Sequence, residues 1–277
     1  MVAGKLCFTI DVMQTKLVGI LNVTPNSFSD GGLFLDPADA LAQARKLFAD
    51  GASIVDVGAE ATNPWADPLT HEQEWARLSP VLPTLVKEFP GKLSLDTYHA
   101  ETAEKALKIG DIWLNDVTTF RSPEMIAVAA KYNATCIVSH APLSAKTVKE
   151  THAIKIDDLQ IVLDELEQKR QEMITTGVKP ENIILDPGIG FGKTMRLNWQ
   201  LIEFKKHCDT FFGADQKVML GHSRKRFLAT NPVTGELLPN EKIRFTSERN
   251  LEVARKIIDS KTDYLRVHDI ALHAKLI

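Results

Sequence analysis

Residues 184–194 read I-L-D-P-G-I-G-F-G-K-T, and the pattern of this stretch decides the fold of the chain. An apolar run ends at the acid Asp186, a proline follows, and three glycines then fall within five residues. This order predicts a buried parallel strand that carries a carboxylate to its C-terminal end, followed by a loop whose backbone a ligand can approach. The glycine spacing matches neither a phosphate loop nor a dinucleotide-binding fingerprint. Asp186 is therefore the candidate for ligand chemistry, since a carboxylate accepts two parallel N–H donors; the alternative is an acid that caps a helix.

The same unit recurs along the chain: a short apolar strand, a polar residue at its end, and a segment with helical periodicity. We predict strands over residues 16–24, 53–60, 93–98, 112–118, 134–140, 183–189, 217–223 and 263–269. Helices are predicted over residues 38–50, 70–88, 100–109, 157–176 and 249–260. Eight such units predict an α/β fold, a (β/α)8 TIM barrel formed by a single domain over residues 1–277, with the functional site at the C-terminal ends of the strands. An open, doubly wound sheet is the alternative.

Size and composition are those of an ordinary globular protein, with 277 residues, 44% of them hydrophobic, and a formal net charge of −3. The near-neutral charge gives no indication of nucleic-acid or membrane-surface binding. The sequence has no apolar stretch of about 20 residues, as a membrane span would need, and Asp11 interrupts the apolar run that a signal peptide would need. Because Cys7, Cys136 and Cys208 lie far apart without metal-ligand spacing, we expect a cytoplasmic protein.

Polar residues stand at nearly every predicted strand end. One group offers hydrogen-bond acceptors and a cation: Asp96, Asn115, Asp186 and Lys225. Such a set can recognise the edge of a polar heterocycle. A second group offers donors for an anion: Asn22, Arg266 and His268. Since a phosphate site near the last two strands is common in these barrels, the sequence predicts a small-molecule substrate that contains phosphate.

Several other polar residues have structural interpretations. Asp56 lies in the middle of a strand and is either a buried structural acid or a functional one. We interpret His140 as a hydrogen-bonded core histidine, and Asp116 and Asp269 as helix caps. The charged run at residues 157–170 is most simply the solvated face of a helix.

Six motifs, in order along the chain, resemble those of the dihydropteroate synthase family. They are L-N-V-T-P-N-S-F-S-D-G-G (residues 21–32), L-D-T-Y (95–98), N-D (115–116), D-P-G-I-G-F-G-K-T (186–194), S-R-K (223–225) and R-V-H-D (266–269). The resemblance implies a pterin-binding barrel of folate biosynthesis that requires Mg²⁺. Such enzymes condense p-aminobenzoate with 6-hydroxymethyl-7,8-dihydropterin diphosphate, and they release diphosphate. The resemblance also implies a homodimer and a target for sulfonamides.

The resemblance carries site residues over position by position. The implied pterin contacts are Asp96, Asn115, Asp186, Phe191 and Lys225. The implied diphosphate site is Asn22, Arg266 and His268, with Asn22 also near Mg²⁺. The implied p-aminobenzoate site is Thr62, Pro64 and Ser223. The residues implied in catalysis are Asp96, Lys225, Arg266 and His268.

The second loop, residues 58–65, departs from the family pattern. Ala61 stands in place of a serine and Asn63 in place of an arginine. We expect pterin and diphosphate binding to be kept, and p-aminobenzoate handling to be the part that is altered. One alternative is a non-catalytic or altered-specificity pterin-binding paralogue. Another is a methyltetrahydrofolate-dependent methyltransferase, but that class needs no diphosphate site, so Lys225, Arg266 and His268 argue against it.

Overall fold

The structure, a computed structural model, describes residues 14–23, 36–60 and 68–277. In this part of the chain eight parallel strands form a closed barrel in which each strand pairs with the next and the last pairs with the first. The strands are β1 (Lys16–Asn22), β2 (Ile54–Gly58), β3 (Leu93–Asp96), β4 (Trp113–Asp116), β5 (Cys136–Ser139), β6 (Ile183–Asp186), β7 (Lys217–Leu220) and β8 (Tyr264–Val267). The predicted (β/α)8 barrel is confirmed, and the open sheet was the wrong alternative.

Helices occupy the segments between the strands. Those of the described ranges are α1 (Pro37–Ala49), α2 (His71–Leu78), α3 (Leu82–Glu88), α4 (Ala100–Leu107), α5 (Pro123–Tyr132), α6 (Val148–Ala153), α7 (Leu159–Thr176), α8 (Met195–Gln200), α9 (Phe204–Phe212), α10 (Ser247–Asp259) and α11 (Ile270–His273). No helix in those ranges has the length and apolar character that a membrane span requires.

Local residue chemistry accounts for where α1 and α2 begin or end. Thr70 and Gln73 form a reciprocal capping box at the start of α2, with N–O distances of 2.9 and 3.3 Å. Gly51 follows the end of α1 with a φ of +111°, a conformation that glycine adopts without a steric penalty. The predicted helix over residues 70–88 is instead two helices, because Pro80 lacks the N–H that a continuous helix would need.

The barrel interior has an apolar floor. It is formed by one side chain from each of six strands: Val18, Ile54, Ile137, Ile184, Met219 and Tyr264. A second and larger apolar cluster lies between the strands and the surrounding helices. Successive side chains of a strand point to opposite faces, so the residues two positions after the floor point into the barrel one layer higher. That next layer lies at the C-terminal ends of the strands, where these barrels place their sites.

Candidate active site

The layer above the floor is polar and charged. Asp56, Asp186 and Arg266 each follow a floor residue by two positions, on β2, β6 and β8. Arg266 joins three strands, since its Nε donates to Asp56 Oδ2 (2.7 Å) and its Nη2 donates to Asp96 Oδ2 (2.9 Å). Burial and the Asp56 carboxylate raise the pKa of Asp96 to about 7, and the Arg266 guanidinium acts against them. The barrel thus holds a cation between two acids at its mouth.

Asp56 is a site residue that the sequence left undecided. Its Oδ2 also accepts a hydrogen bond from Asn115 Nδ2 at 3.0 Å. Asp56 Oδ1 and Asn115 Oδ1 are both buried, and neither has a hydrogen-bond partner among the described residues. A buried acceptor without a donor is unfavourable, so these oxygens can accept hydrogen bonds from a ligand. The period of two from Ile54 to Asp56 is the sequence signal that could have assigned Asp56 to the site.

Asp186 ends β6 in a tight turn. Its Oδ1 accepts a hydrogen bond from the Gly188 N–H at 2.7 Å, and the residue is buried. Burial raises the pKa of the Asp186 carboxyl, while Lys225, the Gly188 N–H and Arg266 act in the opposite direction. Gly188 has a φ of +67°, and a Cβ there would lie 2.0 Å from the carbonyl oxygen of His140. Only glycine therefore allows the turn to pack against the end of β5.

The Lys225 ammonium lies near the end of β7, because a Cβ at Gly221 would lie 3.7 Å from Lys225 Nζ and 3.7 Å from Arg266 Cβ. Lys225 Nζ donates to the carbonyl of Ile189 at 2.6 Å and lies 5.3 Å from the ring centroid of Phe191, within the range of a cation–π interaction. Burial lowers the pKa of Lys225 to about 8, although the Asp186 carboxylate raises it. The predicted pterin contacts on β6 and after β7 are thus part of one site.

Three further predicted residues lie at or just after the C-terminal ends of their strands: Asn22, Ser223 and His268. His268 is exposed, and its Nδ1 lies 3.0 Å from Ser223 Oγ, which brings residues assigned to two different ligands into contact. Asn22 is exposed at the end of β1, opposite Gly58 of β2. Thr62 and Pro64 lie outside the described residues, as do Ala61 and Asn63.

Two of the structural interpretations are confirmed and one is wrong. His140 is a buried, hydrogen-bonded core histidine, and Asp269 caps α11 through the Leu272 N–H at 2.9 Å. Asp116 is not a helix cap, because its Oδ1 accepts from the Thr118 N–H and hydroxyl and Ser122 caps α5. The run at residues 157–170 has the expected solvated face on α7, which includes the exposed Asp164 and Gln168, while Glu165 lies off that face and contacts His140.

Comparison with known proteins identifies the family. Residues 18–268 match the family described as "Pterin binding enzyme". The chain belongs to this pterin-binding enzyme family.

Several dihydropteroate synthases match this chain over nearly its whole length. The dihydropteroate synthase of Clostridium beijerinckii is 34% identical over 258 residues, which cover 93% of this chain and 90% of that protein. The solved Anaplasma phagocytophilum dihydropteroate synthase with bound 6-hydroxymethylpterin-monophosphate is 36% identical, with a TM-score of 0.78 over 95% of this chain and 97% of that one. The Thermus thermophilus enzyme in complex with 4-aminobenzoate is 32% identical, with a TM-score of 0.75 over 96% and 93% of the two chains.

Proposed function

We propose that this pterin-binding enzyme is a dihydropteroate synthase, a transferase that condenses p-aminobenzoate with 6-hydroxymethyl-7,8-dihydropterin diphosphate. The products are 7,8-dihydropteroate and diphosphate. The observation that carries the proposal is the convergence of Asp186, Lys225 and Arg266 above the apolar floor. Asp186 and Arg266 each follow a floor residue by two positions, and a Cβ at Gly221 would lie 3.7 Å from both Arg266 Cβ and Lys225 Nζ. The full-length relatives named dihydropteroate synthase support the same function.

In the proposed site, polar side chains form hydrogen bonds with the edge of the pterin ring. The ring presents an amino group and a ring N–H as parallel donors, which the Asp186 carboxylate can accept together. Lys225 donates to the ring carbonyl, and Asn115 Oδ1 is a further buried acceptor. Phe191 offers an apolar face for a flat ring. The alignment of these bonds matters, because the buried carboxylate has already lost most of its water.

The reaction breaks the C–O bond between the pterin methylene group and diphosphate, and it forms a C–N bond to the arylamine, which then loses a proton. Diphosphate leaves more readily as its charge is neutralised, and Arg266 and His268 are the donors proposed for this role. The Asp96 carboxylate would stabilise positive charge that develops on the methylene carbon. The arylamine nitrogen is already a usable nucleophile, so the reaction needs no strong base.

Mg²⁺ is part of the proposal, with Asn22 as the residue that would hold it through its side-chain oxygen. Among the described residues no group of three His, Cys, Asp or Glu side chains could hold a metal ion. This donor set fits Mg²⁺, which commonly keeps several waters and binds chiefly through substrate phosphates. The ion would supply positive charge to the diphosphate oxygens.

The p-aminobenzoate site is proposed at Ser223, Thr62 and Pro64, near the arylamine's point of attack. Ser223 already contacts His268, so p-aminobenzoate and diphosphate would bind side by side. Titration of p-aminobenzoate with and without bound pterin and diphosphate should show binding only in their presence. Tight p-aminobenzoate binding to a protein that does not bind the pterin diphosphate would contradict this arrangement.

The direct test of the function is a coupled assay for diphosphate release with purified protein. Release should require the pterin diphosphate, p-aminobenzoate and Mg²⁺ together. Binding of the pterin without any release of diphosphate would instead indicate the non-catalytic paralogue, which the substitution at Asn63 favours. We also propose a cytoplasmic homodimer, for which sedimentation should give the mass of two chains.

A further inference from the structure

A hydrogen-bonded series of three side chains, Glu165, His140 and Lys193, connects helix α7 to the loop after β6. Glu165 Oε2 on α7 lies 3.0 Å from His140 Nε2, and His140 Nδ1 lies 2.8 Å from Lys193 Nζ. His140 is fully buried and Lys193 is 2% exposed. Lys193 is not one of the residues assigned to either substrate, so its burial needs an explanation.

The geometry of these hydrogen bonds determines which atoms of Glu165, His140 and Lys193 carry protons. Lys193 Nζ has two further acceptors, the carbonyls of Phe191 (2.8 Å) and His140 (3.1 Å). A lysine ammonium carries three donors, which match these two carbonyls and His140 Nδ1. His140 then carries its proton on Nε2 and donates to Glu165, which also accepts from the Leu143 N–H at 3.0 Å. Each donor of the ammonium thus has an acceptor.

One of the two carbonyls to which Lys193 donates is that of Phe191, a residue of the proposed pterin site. Lys225 packs over the Phe191 ring and donates to the Ile189 carbonyl, so the loop of residues 187–193 orients Lys225. The same loop packs closely on β5 and the segment after it, since a Cβ at Gly192 would lie 2.5 Å from Pro142. The position of the loop therefore decides where the Lys225 ammonium points.

Lys193 also acts on Asp186 through its charge. The Lys193 ammonium lowers the pKa of Asp186, as Lys225, the Gly188 N–H and Arg266 do, whereas burial raises it. Burial lowers the pKa of Lys193 itself to about 7, with Asp186 and Glu165 acting to raise it and Lys225 to lower it. A buried cation behind the site thus favours the ionised form of the carboxylate.

We propose that Lys193 is a positioning residue for pterin recognition. Through Phe191 and His140 it holds loop 187–193 in the form that aims Lys225 at the pterin, and it favours the ionised carboxylate of Asp186. This inference rests on the proposed function, because it assigns Lys193 a part in binding the pterin of that reaction.

The test compares Lys193→Met with Lys205→Met. Lys205 is also a buried lysine that donates to two carbonyls, those of Ala214 and Gln216, and it pairs with Asp263 at 3.4 Å. It lies near the starts of β7 and β8, at the end of the barrel opposite to the site. The two variants thus remove the same group from comparably buried positions, and only one of them adjoins the loop.

Each protein is titrated calorimetrically with 6-hydroxymethylpterin monophosphate across a pH series, and its melting temperature is measured. Lys193→Met should weaken pterin binding about tenfold or more, since small displacements of binding groups have large effects on function. The pH below which binding is lost should also rise, because Asp186 has lost a neighbouring cation. Lys205→Met should bind the pterin as the wild type does.

Unchanged pterin affinity and an unchanged pH profile in folded Lys193→Met would overturn the inference and would show a purely structural lysine. Failure of the wild-type protein to bind the pterin would instead contradict the proposed function. If Lys193→Met does not fold, Glu165→Ala tests the same series of side chains from its partly exposed end. That variant should weaken pterin binding in the same direction, and wild-type affinity there would equally overturn the inference.

Discussion

At the level of single residues, the site depends on buried charges that are paired with one another. Arg266 lies between Asp56 and Asp96, and its guanidinium offsets the repulsion that two nearby carboxylates would otherwise have. Two contacts of this kind orient the side chain before any substrate binds. Preorganised donors stabilise developing charge without having to reorganise during the reaction. The same pairs make each of the three residues important for stability.

We predict that Arg266→Met destabilises the fold by about 3–5 kcal/mol, since it leaves the buried Asp56 carboxylate and the mostly buried Asp96 carboxylate without their cation. Urea unfolding measures this loss, which should be smaller at pH 5 than at pH 8 because Asp96, with a pKa raised to about 7, is protonated at the lower pH. Arg45→Met is the control, since Arg45 makes an exposed pair with Glu88 and its removal should change stability little. An equal loss in the two variants would contradict this account of the site.

We predict that Asp186→Asn weakens pterin binding about 100-fold, because the amide replaces one acceptor oxygen with an N–H₂ group that faces the donors of the ligand. Calorimetric titration with a pterin measures the change. The wild-type affinity should also fall as the pH decreases through the raised pKa of Asp186, and the variant should lack that dependence. Asp164→Asn, on the exposed side of α7, is the control and should bind normally.

At the level of elements, the way each helix ends decides how the chain returns to the next strand. The segment α10 ends at Asp259 with Ser260 as its cap, and Lys261 then adopts a φ of +61°. Helices α7 and α5 instead end directly on a left-handed residue, Gly177 with a φ of +109° and Asn133 with a φ of +51°. Glycine and asparagine tolerate this left-handed conformation, whereas a lysine is strained in it.

We predict that Lys261→Gly stabilises the protein by roughly 0.5–1 kcal/mol, since relief of the left-handed strain exceeds the added flexibility of glycine in the unfolded chain. The midpoint of urea unfolding should rise. Asn133→Gly is the matched comparison and should gain less, because asparagine already tolerates the conformation. A lower midpoint for Lys261→Gly would show that the lysine is not strained.

At the level of the whole molecule, an acid buried between the helix layer and the barrel makes stability depend on pH. Glu74 of α2 is 1% exposed and accepts a hydrogen bond from the Thr97 hydroxyl at 2.8 Å. Burial raises the pKa of Glu74 from 4.5 to about 7, although the Thr102 and Thr97 hydroxyls lower it. The folded protein therefore holds a proton there between these two pH values, and the unfolded chain does not.

Between pH 4.5 and about 7 the folded protein binds more protons than the unfolded chain. The stability that Glu74 contributes is therefore fully present below pH 4.5 and is lost as the pH rises through about 7. The loss should be about 3 kcal/mol. We predict that Glu74→Gln keeps the hydrogen bond and removes this part of the pH dependence, so that the variant is more stable than the wild type at pH 8 and about equal at pH 4. Urea unfolding across this range measures it, and parallel pH profiles would contradict the prediction.

The order of strands, the closure of the barrel and the strand-end positions of Asp96, Asn115 and Asp186 could be predicted from the sequence. Each depends on local pattern: the period of two that places Asp186 two positions after Ile184, and the polar residues that end the apolar runs. The strand ends were less well predicted, since the expected strand at residues 183–189 stops at Asp186, where Pro187 has no N–H to continue the pairing.

What the sequence determined by itself is therefore the barrel and the set of side chains at its mouth. Only the tertiary structure decided which of those groups are partners: Arg266 meets Asp56 across 210 residues of sequence, and Lys193 meets His140 across 53. The reason is physical. Periodicity determines which face of a strand or helix a residue occupies, but the partner of a buried charge depends on which elements the closed barrel brings together.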